Sequence, residues 1–111
     1  MRLRIKKRPR KFKVGLNETV LKDFGKIYLK DKEQITFCDK NSEYDVVKTN
    51  WGYYATPSIN FRLKKFKLRT FLIKNYINRK YIVIVRNNKM KEFKKYLKTD
   101  KYKIIKEFTN I

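Results

Sequence analysis

The sequence has no histidine, one cysteine and one alanine among its 111 residues. Without histidine the chain has no Ser-His or Cys-His nucleophile pair and no zinc site that combines cysteine with histidine. The single thiol, Cys38, excludes a disulfide within the chain and gives no support to an oxidising compartment. The residues therefore predict a protein that is not an enzyme and that holds no metal or cofactor.

Long apolar runs are also missing. No stretch approaches the roughly 20 apolar residues that a membrane-spanning helix needs. The N-terminus is charged but lacks the apolar segment of a secretory signal. The sequence therefore predicts a cytoplasmic protein without a transmembrane segment, and it leaves the oligomeric state open.

Acidic residues are absent from positions 46–91, although that segment contains twelve lysines and arginines. The formal net charge is +21, and seven of the ten acids lie between residues 18 and 45. The apolar runs Phe71–Ile73 and Tyr81–Val85 indicate that the basic segment is folded. Because a basic surface on packed strands is costly in self-repulsion, it favours an anionic partner.

The chain length and an aromatic content of 15% predict a folded protein rather than a disordered one. Residues 18–111 are expected to form a single α+β domain with a mostly antiparallel sheet and two short helices, in the order β-β-β-α-β-β-α-β. Residues 1–17 contain eight bases and no acid and are expected to form a flexible arm. The bases of the arm are Arg2, Arg4, Lys6, Lys7, Arg8, Arg10, Lys11 and Lys13.

Alternation of apolar and polar residues, separated by turn residues, predicts the strands. Tyr81–Val85 is continuously apolar, which favours a central strand, and Ile104 and Ile105 are expected inside the last strand. A helix with Met90, Phe93, Tyr96 and Leu97 on one face is expected after Asn88. The expected strands cover residues 26–30, 34–38, 43–48, 66–74, 80–86 and 103–108.

The segment 51–60, WGYYATPSIN, contains rare residue types of this chain in close succession, namely Trp51, Gly52, Ala55 and Pro57. Thr56 is expected to cap a helix that starts at Pro57, because threonine caps and proline fits the first helical position. Free N–H groups at such a start attract anions. The predicted anion or nucleic-acid site comprises Trp51, Tyr53, Tyr54, Thr56, Ser58, Arg62, Lys64, Lys65, Lys67 and Arg69.

Each part of this site has an ordinary structural alternative. Trp51 and Tyr54 either stack on bases or fill the core, and at least one of Tyr53 and Tyr54 is expected to be exposed because neighbouring strand residues point apart. Lys67 and Arg69 share a strand face with Phe71 and Ile73. That face is either half buried, with the bases at its open end, or a solvated surface with two exposed apolar residues.

Two further features of the sequence, an acidic turn and the cysteine, favour a structural role over metal binding or catalysis. Asp39, Asn41, Glu43 and Asp45 alternate like the start of a calcium loop, but Tyr44 stands where such a loop needs glycine. Cys38 ends a predicted strand and has no histidine to activate it, so a small buried core residue is the favoured interpretation.

Three hypotheses for function remain. The first is a nucleic-acid-binding module, with RNA favoured and an association with the ribosome in keeping with a small lysine-rich chain, which neutralises phosphates and stacks bases. The second is an accessory protein whose segment Trp51–Arg69 forms a pocket for an anionic small molecule such as a nucleotide or nucleotide sugar. The third is a peripheral protein that attaches to an anionic membrane or polysaccharide through its arm.

Overall fold

The structure, a computed structural model, describes residues 1–110. The chain forms two compact units, an N-terminal unit of Met1–Thr56 and a C-terminal unit of Pro57–Ile111. The sequence predicted a boundary after residue 17 instead. Among the described residues all strand pairs are antiparallel and form three sheets, and two short α-helices accompany them, which confirms the predicted α+β class.

The N-terminal unit is built from a two-stranded ribbon, β1-β2, and a three-stranded sheet in the order β3-β4-β5. A salt bridge of 3.1 Å joins the amino group of Met1 to Glu33, so the start of the ribbon lies beside the entry to the three-stranded sheet. The strands are β1 (Arg2–Val14), β2 (Thr19–Tyr28), β3 (Gln34–Asp39), β4 (Ser42–Thr49) and β5 (Gly52–Ala55).

The basic segment 2–14, predicted as a flexible arm, forms strand β1. Its residues pair with β2 in two stretches, with an irregularity between Ile5 and Arg10. Pro9 lies in that irregularity, where its missing N–H breaks no ladder hydrogen bond. Bases alternate with Leu3 and Ile5 at the start of β1. This pattern, interpreted from the sequence as that of a flexible arm, therefore belongs to a strand whose two faces carry different residue types.

The C-terminal unit contains a three-stranded sheet in the order β7-β6-β8, with β6 at its centre. The predicted hairpin is confirmed, because β6 and β7 pair from Leu68 opposite Arg86 to Lys74 opposite Lys80. A short 3₁₀ helix, Asn87–Lys89, leads into the second α-helix. The elements are α1 (Arg62–Lys65), β6 (Leu68–Lys74), β7 (Lys80–Arg86), α2 (Met90–Thr99) and β8 (Lys103–Glu107).

The core of the C-terminal unit lies between one face of this sheet and helix α2. Phe93 and Leu97 are buried as the helical pattern predicted, and Met90 packs against them, whereas Tyr96 is partly exposed. They meet Phe71, Ile73 and Val85 from β6 and β7. No helix among residues 1–110 is long and apolar enough to span a membrane.

Two expectations about burial in this sheet are wrong. Tyr81–Val85 belongs to the edge strand β7, because β8 occupies the other side of β6, and Tyr81 and Ile82 are exposed. Ile104 and Ile105 are also exposed, since β8 is the opposite edge and its pairing with β6 shifts between Leu72 and Ile73. Apolar content alone did not distinguish an edge strand from a central one.

Candidate nucleic-acid interface

The predicted site residues fall into both units. Trp51, Tyr53, Tyr54 and Thr56 lie in the N-terminal unit. Ser58, Arg62, Lys64, Lys65, Lys67 and Arg69 lie in the C-terminal unit.

The aromatic residues at β5 are on the surface rather than in a core. Trp51 and Tyr53 are each 70% exposed and Tyr54 is 45% exposed. The rings of Trp51 and Tyr54 stack on each other with centroids 5.8 Å apart and planes inclined by 16°. Their exposed ring area is available for stacking with a planar ligand such as a nucleobase.

Tyr53 belongs to a second aromatic face that the sequence analysis did not single out. Direct strand partners point to the same side of a sheet, and here the pairs are Phe37 with Tyr44 and Lys48 with Tyr53. Tyr44 and Lys48 are separated by four residues along β4, which is about 13 Å at the rise of a strand. Phe37 and Tyr53 are both exposed. The alternation in β3 and β4 was a signal for this face, but it did not show that the face would remain open.

Thr56 does not cap a helix, which corrects the prediction for this residue. Its backbone N–H donates to the Asp45 carbonyl at 3.0 Å, and its hydroxyl donates to Asp45 Oδ2 at 3.1 Å. The helix α1 begins six residues later, at Arg62, whose N–H donates to the Ser58 hydroxyl oxygen at 2.9 Å. Asp45, in the middle of β4, therefore holds Thr56 directly after the end of β5.

The bases around α1 make local contacts within the C-terminal unit. Lys64 Nζ donates to Asn110 Oδ1 at 2.9 Å, and Lys65 Nζ lies 4.3 Å from the centre of the Phe61 ring. Arg62 lies over the ring of Phe66, with its guanidinium carbon 5.7 Å from the ring centre. Lys67 is exposed and has a left-handed backbone at φ 62°. These side chains give α1 a cationic surface, and Lys64 and Lys67 line a cleft of about 370 Å³ with Arg69 and Glu107.

Arg69 is engaged in an ion pair rather than open to a phosphate. Its Nε and one terminal nitrogen donate to the two carboxylate oxygens of Glu107 at 2.7 and 2.6 Å. This bidentate hydrogen bonding raises the pKa of the Arg69 guanidinium and lowers the pKa of the Glu107 carboxyl. Phe71 and Ile73, on the same strand face, are buried. The face is therefore the half-buried one of the two alternatives, with Arg69 at its end.

The C-terminal unit has an unusually one-sided surface charge. Residues 57–111 contain seventeen lysines and arginines but only three acids, Glu92, Asp100 and Glu107. Asp100 is 4% exposed, and Glu107 is paired with Arg69. Glu92 alone among the acids of this unit has a freely exposed side chain, with Lys89 Nζ 3.9 Å away. The unit therefore presents cations to solvent with almost no acids between them.

A cleft of about 620 Å³ opens in the C-terminal unit at the end of the sheet. It lies between the β6–β7 loop, the end of α2 and the start of β8, and no acid lines it. Four lysines from these segments line the cleft. The sequence did not indicate that they lie close together, because they are spread over thirty positions. The lining residues are Lys74, Asn75, Tyr76, Asn78, Leu97, Lys98, Lys101, Tyr102 and Lys103.

The ribbon of the N-terminal unit carries cations and an aromatic ring on one face. The guanidinium carbons of Arg2 and Arg4 lie 4.4 and 5.7 Å from the centre of the Tyr28 ring. Arg4, Lys6, Arg10 and Lys26 line a smaller cleft of about 390 Å³ with Asp23 and Gly25. The Asp23 carboxylate accepts hydrogen bonds from the Gly25 N–H and from Arg10. These bonds, the first more than the second, lower the pKa of the Asp23 carboxyl. The carboxylate offsets part of the positive charge in this cleft.

Cys38 is exposed, so the prediction that it is a core residue is wrong. It pairs with Glu43 near the β3–β4 turn, on the edge strand of its sheet, where little lies over it. Among residues 1–110 no group of three or more histidines, cysteines and acids has an arrangement that could hold a metal ion.

Comparisons with models of protein families, with curated proteins and with solved structures found no match to this chain.

Proposed function

We propose that this protein binds single-stranded nucleic acid, with RNA as the favoured partner. The observation that carries the proposal is the surface of the C-terminal unit, where seventeen bases accompany three acids, of which Asp100 is buried and Glu107 is paired with Arg69. A polyanion neutralises such a surface and gains free energy from the counterions that it releases. Without a polyanion the same surface destabilises the folded state through self-repulsion.

Exposed aromatic rings favour a single strand over a duplex. Bases in a single strand are free to stack on aromatic side chains, each stack contributing roughly 1–3 kcal/mol, whereas paired bases are not. The N-terminal unit offers Trp51 stacked on Tyr54, and it offers Tyr53 and Phe37 on the sheet face. Contacts to phosphate and to ring faces carry little sequence information, so binding is expected to be weakly sequence-specific.

The alternative of a small-molecule pocket formed by Trp51–Arg69 has less support. Trp51, Tyr53 and Tyr54 lie in the N-terminal unit, whereas the bases of the segment lie in the C-terminal unit together with Phe61 and Phe66. Arg69, one of the bases of the segment, is held by Glu107. Lys64, Lys67 and Arg69 do line a cleft of about 370 Å³ in the C-terminal unit, but Glu107 lines it too and no aromatic residue does.

Charge reversal in the two units tests the proposal. The variant Lys91→Glu/Lys94→Glu changes two exposed lysines of α2. We expect its affinity for a short single-stranded RNA to fall more than tenfold, because each lost phosphate contact costs about fivefold at 0.1 M salt. The measurement is fluorescence anisotropy with the full chain, after circular dichroism has shown that the variant is folded.

A matched control is Lys30→Glu/Lys40→Glu, which makes the same change in net charge at exposed positions of the acidic segment 18–45. We expect this control to lose much less affinity. Equal losses in the two variants would mean that net charge alone attracts RNA, and the C-terminal surface would not be the interface.

A further inference from the structure

The cleft at the end of the C-terminal sheet contains a row of like charges that the fold does not require. Lys74 at the end of β6 is the direct strand partner of Lys80 on β7 and of Lys103 on β8. Like charges directly opposite each other destabilise a sheet. Lys74 and Lys103 line the cleft together with Lys98 and Lys101.

The helix explains only part of this charge. Lys98 lies in the last turn of α2, where a cation interacts favourably with the helix dipole. Lys101 lies two residues after the end of the helix and benefits in the same way. Lys74 and Lys103 come from strands and gain nothing comparable. Their placement opposite each other therefore points to a ligand that carries negative charge.

The walls of the cleft are preorganised. Asn75 Oδ1 accepts from the N–H groups of Ile77 and Arg79 at 3.2 and 2.9 Å, so the loop that carries the exposed Tyr76 is a hydrogen-bonded turn. Tyr102 is held against Tyr96, with ring centres 5.3 Å apart. A hydrogen-bonded loop and a packed Tyr102 ring lower the entropy that is lost when a ligand binds.

The charge and the size of the cleft indicate the class of ligand. A phosphodiester inside a strand carries one negative charge, whereas a terminal phosphate carries about −1.5 to −2 at neutral pH. Four lysines without an acid match the larger charge better. A volume of about 620 Å³ lies within the roughly 300–1,000 Å³ of small-ligand pockets. Tyr76 and Tyr102 offer ring faces to a base.

We propose that this cleft binds the terminal phosphate of a nucleotide, with Lys74, Lys98, Lys101 and Lys103 around the phosphate and Tyr76 against the base. A 5′-phosphorylated RNA end and a free nucleoside monophosphate share this chemistry. The RNA case rests on the proposed function, and the free-nucleotide case does not.

The test compares two short single-stranded RNAs of the same sequence, one with a 5′-phosphate and one with a 5′-hydroxyl, in fluorescence anisotropy with the full chain. We expect the phosphorylated RNA to bind about fivefold more tightly or better, since one further phosphate contact has that effect at 0.1 M salt. The variant Lys74→Gln/Lys103→Gln is expected to remove this preference. Its thermal stability is expected to be unchanged or higher, because the opposed charges are gone.

The control variant, Lys91→Gln/Lys94→Gln, removes the same charge from the exposed face of α2, outside the cleft. It is expected to bind both RNAs more weakly and to keep the preference for the 5′-phosphorylated RNA. Equal affinity for the two RNAs in the wild-type protein would overturn the cleft proposal and leave the proposed function standing. Loss of the preference in both variants, or loss of stability in Lys74→Gln/Lys103→Gln, would also overturn the cleft proposal.

Free nucleotides separate the two proposals. Adenosine 5′-monophosphate is expected to compete for the cleft and adenosine is not. If neither RNA binds but the monophosphate binds in a way that requires Lys74 and Lys103, the proposed function fails and the cleft proposal stands. If neither RNA nor the monophosphate binds, both fail.

Discussion

Replacement of Phe71 by alanine is expected to lower the free energy of unfolding of the C-terminal unit by about 3–5 kcal/mol. Phe71 is 2% exposed and lies on the central strand β6. Its ring centre is 5.3 Å from that of Phe93 on α2. The truncated side chain would leave a cavity where the sheet meets the helix, and rigid strands on both sides would prevent its collapse.

Chemical denaturation of the full chain measures this loss. Ile82→Ala is the matched control, because Ile82 is an exposed apolar residue of the neighbouring edge strand. We expect the control to lose less than about 1 kcal/mol. If both variants lost less than about 1 kcal/mol of unfolding free energy, the core of this unit would not lie between β6 and α2.

Replacement of Gly25 by alanine is expected to separate the N-terminal half of the ribbon. Gly25 has φ +137°, a backbone conformation that residues with a side chain rarely adopt. An added Cβ would lie 1.9 Å from the Arg4 carbonyl oxygen. Because Gly25 is the strand partner of Ile5, β1 would have to move away from β2 there. We expect amide protons of residues 2–5 and 26–28 to lose their protection from hydrogen exchange.

Gly52→Ala separates the steric clash from backbone strain. Gly52 also has a positive φ, of +146°, but an added Cβ would meet no atom within 4 Å. This control carries only the strain, about 1–3 kcal/mol, and is expected to leave the ribbon paired. Full protection of residues 2–5 in Gly25→Ala would show that β1 is not held against β2 as described.

The parts of the fold that the sequence predicted are those with a strong local pattern. The hairpin of β6 and β7 and the helix with Phe93 and Leu97 are examples, because alternation and helical spacing are visible within a few residues. Strand β1 was not predicted, because its many bases indicated a flexible arm although apolar and basic residues alternate along part of it. Thr56 was misplaced because its partner, Asp45, lies eleven residues earlier in the sequence, and no local pattern indicated that hydrogen bond.

The candidate site shows the same dependence on distance along the chain. The acid-free composition of residues 46–91 predicted a basic surface, and the structure adds that Asp100 is buried and Glu107 is paired. The pairing of Arg69 with Glu107 joins residues 38 positions apart. The lysine cleft draws its lining from the β6–β7 loop, α2 and β8. Contacts of this kind depend on the topology of the sheet and are not visible in any window of sequence.

The salt dependence of RNA binding tests the central claim most directly. If the C-terminal surface neutralises several phosphates, the logarithm of the affinity for single-stranded RNA should fall linearly with the logarithm of the salt concentration. Five or more contacts would give a slope of about −3.5 or steeper, since each contributes about −0.7. A slope near zero, or no binding at low salt, would contradict the claim that this surface binds nucleic acid.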